Sequence, residues 1–431
     1  MKRVNIGLLG FGNVGRGVWT IVEENRAELK KRSGYDVNIT KILVRDINKY
    51  RGVNVPEGIL TTKFEDILED DEIDIVVEVI GGIEPSVDYM IRSMKRKKHV
   101  VTANKMAIAT KGSTLLKTSN EEAVMLYYEG SVGGGIPIIN GLNENLVANK
   151  IEEVIGIING TTNYILTKMT RENLSFEDAL KEAQEKGFAE SDPTSDVDAF
   201  DPMYKICILS SLAFDTVVNV NSIYREGIRG IKPIDIEYAR ELGYVIKLLG
   251  IAKNVEGELE LRVHPTMVPI NHPLANVNDS FNAILVKGNA VGELMLYGRG
   301  AGDLPTGSAV VSDIISILRN RDNPLYYSKF ENGTEPHELR EINKVECEYY
   351  IRMTVKDKPG VLGEVCTVFG HNNVSMLSVI QKGKREECVS LVFMTHNTLE
   401  GNIRKSIEKL EGNNVVVKVE NIIRIENLGM E

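Results

Sequence analysis

The sequence predicts an α/β protein with a Rossmann-type doubly wound parallel sheet, an α+β middle part and a C-terminal ferredoxin-like βαββαβ module. Short apolar runs alternate with amphipathic segments early in the chain, at residues 4–9, 39–44, 73–80, 100–102 and 124–128. That alternation is typical of a parallel sheet covered by helices. A glycine turn follows the first run. A second strand–helix pattern starts at residue 349, in the order of a ferredoxin-like module.

Periodicity places the remaining elements. Helices are predicted at residues 14–31, 85–97, 161–171, 175–186, 197–214 and 309–320. Strands of an antiparallel sheet are expected at residues 259–268, 283–287 and 293–297. A polar stretch containing Pro324, Gly333 and Pro336 indicates a linker. A chain of 431 residues suggests about three domains, so we expect domains at 1–145, 146–320 and 348–431, with a linker at 321–347.

Composition and charge exclude several classes of protein. The net charge is −10 without any basic block, which argues against nucleic acid or an anionic membrane as the main partner. No run of about 20 apolar residues is present, so no membrane span is expected. The four cysteines lack CxxC spacing and are too sparse for a disulfide scaffold, so a reducing cytoplasm is the default location.

The turn Gly10-Phe11-Gly12-Asn13-Val14-Gly15 is typical of a dinucleotide site because it joins a strand to a helix. Its glycines permit a tight turn, close approach of a pyrophosphate, and close packing of helix on strand. The helix then offers N–H groups to the phosphates. We take Phe11, Gly12, Asn13 and Val14 as cofactor-binding candidates. The alternative is a flavodoxin-like glycine turn that binds no nucleotide.

Arg45 and Asp46 end the second strand, where the ribose of a dinucleotide is recognised. An acidic residue there would hold the 2′-hydroxyl of NAD, whereas an arginine can pair with the 2′-phosphate of NADP. Arg45 comes first and Lys63 is expected nearby, so NADP is favoured and NAD stays possible. A surface pair of Arg45 and Asp46 is the alternative.

Lysines are the best candidates for moving a proton. The six histidines are scattered without a metal-ligand spacing such as HExxH, and His99 is expected to be structural. Lys105 follows a strand at the sheet edge where ligands of open α/β sheets bind. Lys205 lies among apolar residues that can desolvate it. Most lysines are solvated surface groups, which is the alternative for Lys105.

An acidic stretch precedes Lys205, and its carboxylates could bind an ammonium group. They are Glu190, Asp192, Asp196, Asp198 and Asp201. Asp201 and Lys205 are four residues apart, so they share one face of a helix. Helix caps and solvated loop charges are the commoner role for such residues. A calcium loop is not expected, because the glycine and closing glutamate of that motif are absent.

Several motifs together resemble the homoserine dehydrogenase family over about residues 4–320. They are the glycine turn, residues 102–105 (Thr-Ala-Asn-Lys), 129–139 (Glu-Gly-Ser-Val-Gly-Gly-Gly-Ile-Pro-Ile-Ile), 159–166 (Asn-Gly-Thr-Thr-Asn-Tyr-Ile-Leu), the acidic stretch, and 298–306 (Gly-Arg-Gly-Ala-Gly-Asp-Leu-Pro-Thr). One departure occurs near Ala199, where the family usually has glycine, and at Pro202-Met203, where it has small residues. Pro202 is tolerated in a first helical turn.

The resemblance implies reversible reduction of L-aspartate-4-semialdehyde to L-homoserine with NAD(P)H, in threonine and methionine biosynthesis. It implies that Lys205 and Lys105 flank the reacting oxygen and that Glu190 and Asp201 hold the substrate ammonium. Residues 146–320 would then form the substrate-binding and dimerisation domain of a homodimer or homotetramer. Gly187 and Gly302 would lie against the cofactor.

The resemblance also implies a monovalent cation, Na⁺, with a structural role. Its ligands would be the Glu129 carboxylate and the backbone carbonyls of Val132, Gly134 and Ile136. Without the resemblance, the three consecutive glycines at 133–135 would indicate only a flexible turn.

Residues 349–431 resemble an ACT domain, an amino-acid-sensing module. The motif is Asp357-Lys358-Pro359-Gly360-Val361-Leu362-Gly363, and backbone N–H groups at the following helix could bind an effector carboxylate. Asn372-Asn373 ends that helix. We expect threonine to inhibit through this domain; a module that only dimerises the protein is the alternative.

Two other functions compete with a regulated dehydrogenase. One is an amino-acid sensor whose dinucleotide fold has lost catalysis. The presence of Lys105, Glu190, Asp201 and Lys205 argues against it. The other is an ACT-bearing dehydrogenase of another hydroxy acid, and enzymes that resemble phosphoglycerate dehydrogenase generally rely on a histidine base, for which this chain offers no candidate.

Overall fold

The computed structural model describes residues 2–49, 52–321, 337–382 and 387–428. The predicted linker at 321–347 therefore lies mostly outside the described residues. The chain forms two compact units. The first comprises Met1–Val154, Tyr204–Ser222 and Asn282–His337, and the second comprises Ile155–Met203, Ile223–Phe281 and Glu338–Glu431. Among the described residues, no helix is both long and apolar enough to cross a bilayer.

The bounds of the elements are as follows. The strands of the described residues are β1 (Lys2–Leu9), β2 (Tyr35–Leu43), β3 (Leu60–Thr61), β4 (Ile73–Glu78), β5 (His99–Thr102), β6 (Leu126–Tyr127), β7 (Ile151–Ile157), β8 (Tyr224–Arg225), β9 (Tyr244–Val255), β10 (Glu258–Pro269), β11 (Phe281–Gly288), β12 (Gly292–Arg299), β13 (Glu346–Lys356), β14 (Met376–Lys382), β15 (Cys388–Thr395), β16 (Thr398–Leu399) and β17 (Val416–Ile425). The α-helices are α1 (Asn13–Glu24), α2 (Arg26–Ser33), α3 (Glu65–Leu68), α4 (Ser86–Lys95), α5 (Lys105–Glu121), α6 (Ile138–Asn140), α7 (Gly160–Glu172), α8 (Phe176–Glu185), α9 (Thr194–Val197), α10 (Phe200–Ala213), α11 (Pro233–Glu241), α12 (Asp303–Asn320), α13 (Val361–His371) and α14 (Glu400–Glu411).

The first unit contains the predicted parallel sheet, with strand order β3-β2-β1-β4-β5-β6. Every neighbouring pair in it is parallel. This is the order of a dinucleotide-binding sheet, and the chain reverses direction across the sheet between β1 and β4. Ligands bind at the carboxyl ends of strands at such a reversal. The fold class predicted for this region is confirmed.

Helix α12 returns to the first unit and packs against α1. The approach is so close that a Cβ on Gly17 would lie 2.0 Å from the carbonyl oxygen of Asp303. Val310 and Ile314 of α12 belong to the same buried cluster as Val18 of α1. A side chain larger than hydrogen at position 17 would therefore push the two helices apart.

The second unit contains a mixed sheet with strand order β9-β10-β17-β13-β15-β14. Its C-terminal part has the βαββαβ order β13, α13, β14, β15, α14, β17, with β13 between β17 and β15. Strand β17 also pairs in parallel with β10, at Thr266–Arg424 and Met267–Ile425. The predicted ferredoxin-like module is thus present.

Two predicted helices are each broken in two. The helix expected at 14–31 is interrupted at Asn25, whose φ of −99° and ψ of 13° end α1 before α2 begins. The helix expected at 197–214 is interrupted before Phe200, because Ala199 adopts a left-handed φ of +61°. Pro202 lies in the first turn of α10, where a missing N–H costs nothing.

The sequence prediction missed or shortened several elements of the described residues. Helix α12 begins at Asp303 rather than 309, and helices α5 and α11 and strands β7 and β9 were not predicted. In α12 and α11 a proline stands in the first turn, and proline was interpreted as a loop signal rather than a helix start.

Candidate active site

The glycine turn has the geometry of a phosphate-binding loop. Gly10 has a φ of +101°, and a Cβ there would lie 2.9 Å from the carbonyl oxygen of Val79. A Cβ on Gly15 would lie 2.4 Å from the carbonyl oxygen of Gly10, so the helix packs directly on the turn. A Cβ on Gly12 would meet no atom within 4 Å, so this side of the turn is open to a ligand. Gly12 is the N-cap of α1 and provides no side-chain cap.

The cleft beside this turn contains the candidate cofactor residues Phe11, Gly12, Asn13 and Arg45. Val14 is partly buried in the first turn of α1 and packs against the core of the sheet. The turn and the start of α1 thus border the same cleft.

Cationic side chains line the part of the cleft that follows β2. Arg45 and Asp46 are exposed after β2, and Arg16 and Lys49 line the same cleft. Asp46 accepts a hydrogen bond from the backbone N–H of Asn48 at 2.8 Å, so its carboxylate closes a local turn. Lys63, which the sequence suggested, is not among the lining residues, and Arg16 and Lys49 were missed.

Buried polar contacts fix the start of α5, and hence Lys105, at the carboxyl edge of the sheet. Asn104 accepts from the N–H of Ala107 at 3.1 Å and donates to the carbonyl of Gly82 at 2.6 Å. Lys105 is the first residue of α5 and is half-buried. Glu78, fully buried at the end of β4, accepts from the hydroxyl of Thr102 at 2.6 Å.

The second lysine lies on the part of α10 that belongs to the first unit. Lys205 lies on α10, with 7% of its surface exposed. Cys207, two residues further along, places its sulfur 3.8 Å from the carbonyl oxygen of Ala109 on α5. Helices α5 and α10 therefore contact each other at this point.

Asp201 is the most deeply buried carboxylate of the acidic stretch, with 2% of its surface exposed. It lies one turn before Lys205 on α10, as the spacing predicted. Glu190, in contrast, is exposed, and Gly187 nearby is exposed with a φ of +75°. The structure thus does not give Glu190 and Asp201 the same degree of burial.

Asn159 joins two members of the acidic stretch, and the sequence analysis missed it. Its amide nitrogen donates to Asp196 at 2.7 Å and to Asp201 at 2.8 Å. Its amide oxygen caps α7 by accepting from the N–H and the hydroxyl of Thr162, both at 2.8 Å. Asn159 is 5% exposed. An asparagine at an N-cap position was the only signal in the sequence.

Glu129 is buried, and backbone N–H groups hold its carboxylate. Its carboxylate oxygens accept the N–H groups of Ile139 at 2.9 Å and Asn140 at 2.7 Å. A Cβ on Gly134 would lie 2.6 Å from the carbonyl carbon of Gly300, so glycine is required there by contact. Contact therefore restricts Gly134 to glycine, which the sequence alone did not reveal.

Asp313 of α12 adds a second buried carboxylate to this region. It is completely buried and accepts the N–H of Glu129 at 2.8 Å and the amide of Asn140 at 3.4 Å. Burial raises the pKa of Glu129. Burial, and then the charge of Glu129, hold the pKa of Asp313 well above its usual range. A bound cation would relieve both effects, and the hard oxygen donors fit such an ion.

The other members of the predicted ion site are also enclosed. Val132 and Ile136 are 0% and 2% exposed, and Gly133 and Gly134 both have left-handed φ angles. Gly302, predicted to lie against the cofactor, has a φ of +128° and is the N-cap of α12.

The ACT motif forms the start of α13. Gly360 has a φ of +94° and is the N-cap of α13 without a side-chain cap, and the N–H of Val361, the first residue of the helix, donates to the carbonyl oxygen of Lys358 at 3.4 Å. Asn372 donates to the carbonyl of Val368 at 2.7 Å and accepts from Lys409 of α14 at 2.8 Å, so its side chain links the two helices of the module.

Comparisons with known proteins agree with this architecture. The chain matches the NAD-binding domain of homoserine dehydrogenase over residues 10–129, homoserine dehydrogenase over 137–315, and the ACT domain over 349–413. It is 40% identical to homoserine dehydrogenase of Bacillus subtilis, over 100% of both chains.

Solved structures give the same result. A homoserine dehydrogenase from Thiobacillus denitrificans superposes with a TM-score of 0.94 at 40% identity, covering 100% of this chain and 99% of that one. A hyperthermophilic archaeal homoserine dehydrogenase mutant in complex with NADPH matches 73% of this chain and 97% of its own, with a TM-score of 0.62 and 28% identity. The chain is an oxidoreductase with an NAD(P)-binding domain and an ACT domain, and it belongs to the homoserine dehydrogenase family.

Proposed function

We propose that the protein catalyses the reversible, NADP-linked reduction of L-aspartate-4-semialdehyde to L-homoserine, a step in threonine and methionine biosynthesis. One observation carries the proposal. Helix α10 presents a buried carboxylate and a buried ammonium, Asp201 and Lys205, one turn apart. An α-amino acid that bears a carbonyl needs this combination, because its ammonium requires an anion and its developing alkoxide requires a cation.

Each candidate residue has a distinct role in this mechanism. When bound, the reduced nicotinamide supplies the hydride for the carbonyl carbon. Lys205 donates the proton to the carbonyl oxygen during reduction, and Lys105 stabilises the negative charge that develops there. Asp201 and Glu190 bind the substrate ammonium, and Asp201 also orients Lys205.

The cofactor is bound by the glycine turn and the residues around it. The N–H groups at Phe11, Gly12, Asn13 and Val14 hold the pyrophosphate. Gly187 and Gly302 leave room for the cofactor because they lack side chains. Arg45 pairs with the 2′-phosphate of NADP, supported by Arg16 and Lys49 in the same cleft. The engagement of Asp46 with its own turn favours NADP over NAD.

The proposed reaction is tested by following NADPH oxidation with L-aspartate-4-semialdehyde, and NADP⁺ reduction with L-homoserine. Succinate semialdehyde, which lacks the ammonium group, is the matched control. Turnover with the amino aldehyde and little with the control supports the proposal. No turnover with either would favour a sensor without catalysis, and equal turnover would remove the ammonium-binding role of Asp201 and Glu190.

A sodium ion bound by Glu129 and the carbonyls of Val132, Gly134 and Ile136 completes the proposal with a structural role. The burial of two neighbouring carboxylates supports it, since Asp313 is 0% and Glu129 2% exposed and Asp313 accepts the N–H of Glu129 at 2.8 Å. The midpoint of thermal unfolding should rise with NaCl beyond its rise with N-methylglucamine chloride. Glu129→Gln should abolish the difference between the salts. Equal midpoints in the two salts for the unsubstituted protein would contradict the ion site.

Threonine is the proposed effector of the ACT domain, at the N-terminus of α13. Truncation before β13 is a poor test, because Arg262, 1% exposed, would lose Glu426, to which it donates at 2.5 Å. Single substitutions in α13 leave this ion pair in place and are therefore the better test. A Cβ on Gly363, in the first turn of α13, meets no atom within 4 Å, and the same holds for Gly370 in the last turn.

Gly363→Phe should block an effector at the helix N-terminus, whereas Gly370→Phe should not. Threonine is titrated into both variants and the unsubstituted enzyme during turnover. Inhibition that is lost only in Gly363→Phe supports the site. An unsubstituted enzyme that threonine does not inhibit would exclude threonine, and equal inhibition of all three proteins would exclude the site.

We also propose a cytoplasmic homodimer or homotetramer. Strand β12 leaves Leu294, Met295 and Tyr297 exposed to 37%, 37% and 55%, and such side chains commonly mark a protein interface. Analytical ultracentrifugation of the unsubstituted chain and of Tyr297→Glu tests the assembly. A monomer in the unsubstituted chain would contradict it.

A further inference from the structure

The turn before α10 adopts a backbone conformation that its sequence does not favour. Ala199 has a φ of +61° and is completely buried. Alanine avoids this region because its Cβ crowds the following carbonyl, so surrounding contacts must hold the turn. The turn comes directly before Asp201, and a shift there would move that carboxylate.

A single segment, Tyr224–Arg229, supplies these contacts; we call it the strap. The guanidinium of Arg225 donates to the carbonyl of Asp198. It also lies 3.6 Å from the centroid of the Phe200 ring. Arg229 donates two hydrogen bonds to the carboxylate of Asp198, at 2.7 and 3.2 Å. Both sides of Ala199 are therefore held by arginines of the strap.

The backbone of the strap is equally close to the turn. A Cβ on Gly227 would lie 2.3 Å from the carbonyl oxygen of Val197. The N–H of Ile228 donates to that same oxygen at 2.9 Å. Glycine at 227 thus allows a contact that no other residue could make without moving the turn.

The other end of the strap is bound to the ACT module. Arg424 of β17, 3% exposed, donates to the Glu226 carboxylate at 2.9 Å and to the Tyr224 hydroxyl at 3.0 Å. Glu400 of α14 holds the same guanidinium with bonds of 2.8 and 2.6 Å. The strap is thus bonded both to the last strand of the ACT module and to the acidic turn.

We propose that the strap positions Asp201 through the turn at Asp198–Phe200, and that it connects the substrate site mechanically to the ACT module. Arg225 is the positioning residue at the site end, and Glu226 is the link at the ACT end. The role of Asp201 as ammonium ligand rests on the proposed function. The strap acts through the turn, so its effect is on how well the ammonium site is formed.

Steady-state kinetics separate a positioning role from a merely structural one. Arg225→Leu removes a charge-assisted hydrogen bond and should raise KM for L-homoserine about tenfold. KM for NADP⁺ should stay within about twofold, because the glycine turn is untouched. Arg225→Lys keeps a cationic donor and should recover most of the loss. Unchanged KM for homoserine in Arg225→Leu, or a parallel rise for both substrates, would overturn the positioning role.

The link to the ACT module is tested with a matched pair of glutamate variants. Glu226→Gln weakens the bond to Arg424 and should raise KM for homoserine about threefold. Glu408→Gln makes the same change of charge on the exposed side of α14 and should change neither KM. Identical behaviour of the two variants would overturn the link.

Hydrogen exchange makes the test independent of activity. Amides of the peptide covering residues 194–203 should exchange faster in Arg225→Leu and Glu226→Gln than in Glu408→Gln. Unchanged exchange in the first two variants would overturn the strap. An unsubstituted enzyme that does not oxidise homoserine refutes the proposed function instead, and the exchange result then decides the strap alone.

Discussion

Replacement of Asn159 by serine isolates the contacts that hold the acidic stretch together. The side-chain amide of Asn159 donates both of its hydrogens to carboxylates, to Asp196 at 2.7 Å and to Asp201 at 2.8 Å. Serine at an N-cap still accepts from the N–H of Thr162, so α7 keeps its cap. The variant therefore removes the two donors and little else.

The expected cost follows from the burial of the two carboxylates. A hydrogen bond to a charged group contributes about 1.5–3 kcal/mol. Asp201 is 2% exposed, so water cannot replace the lost donor, whereas Asp196 is partly exposed and regains water. We therefore expect Asn159→Ser to lower the free energy of unfolding by about 2–4 kcal/mol and to raise KM for homoserine.

In urea unfolding, the loss of stability appears as a lower midpoint concentration of urea, with an unchanged slope of unfolding free energy against urea concentration. Ser175→Ala is the matched control, since it deletes the cap of α8. That control should cost about 1 kcal/mol and leave KM for homoserine unchanged. A loss below about 0.5 kcal/mol in Asn159→Ser, with unchanged KM, would refute the reasoning.

Three further variants test the cofactor cleft, a buried histidine and a helix contact. Arg45→Ala should lower kcat/KM for NADPH about tenfold or more and leave the value for NADH unchanged; equal losses would remove its 2′-phosphate role. Burial lowers the pKa of His99 to about 4, and its ring accepts the N–H of Met125 at 3.0 Å. On acidification His99 is therefore protonated in the unfolded chain before it is protonated in the folded one, and lowering the pH from 6.5 to 4 should cost about 3 kcal/mol of stability. His99→Gln should flatten this dependence of stability on pH. An equally steep dependence in the variant would contradict the role of His99. Gly17→Ala should lower the free energy of unfolding by about 1–3 kcal/mol, because it separates α1 from α12. Gly112→Ala is the control and should leave stability unchanged, since a Cβ there meets nothing closer than Ile108 at 3.8 Å. Equal thermal midpoints of the two variants would contradict the contact between α1 and α12.

Local patterns predicted the fold well because they report on neighbours in sequence. The glycine turn is an example, since its strand and helix adjoin it and each glycine acts within a few residues. The βαββαβ order of the C-terminal module was likewise visible as alternating periodicity. Interruptions such as that at Ala199 were not visible, because a left-handed alanine is held by Arg225 and Arg229, which come much later in the chain.

The sequence predicted candidate site residues only where they belong to a local motif. Lys205 and Asp201 were identified together because four residues separate them on one helix. Asn159 was missed because its partners lie 37 and 42 residues away. Asp313 was missed for the same reason, since its bond to Glu129 spans 184 residues. Contacts at such separations are fixed by the folded chain and leave no periodic signal.

The role of Lys205 as proton donor is the central claim, and Lys205→Ala tests it most directly. Turnover of L-aspartate-4-semialdehyde with NADPH should fall by about 10²–10⁴-fold, while NADPH binding, measured by its fluorescence, stays within about twofold. Lys181→Ala, at an exposed lysine of α8, should behave as the unsubstituted enzyme. Near-normal turnover of Lys205→Ala would contradict the claim.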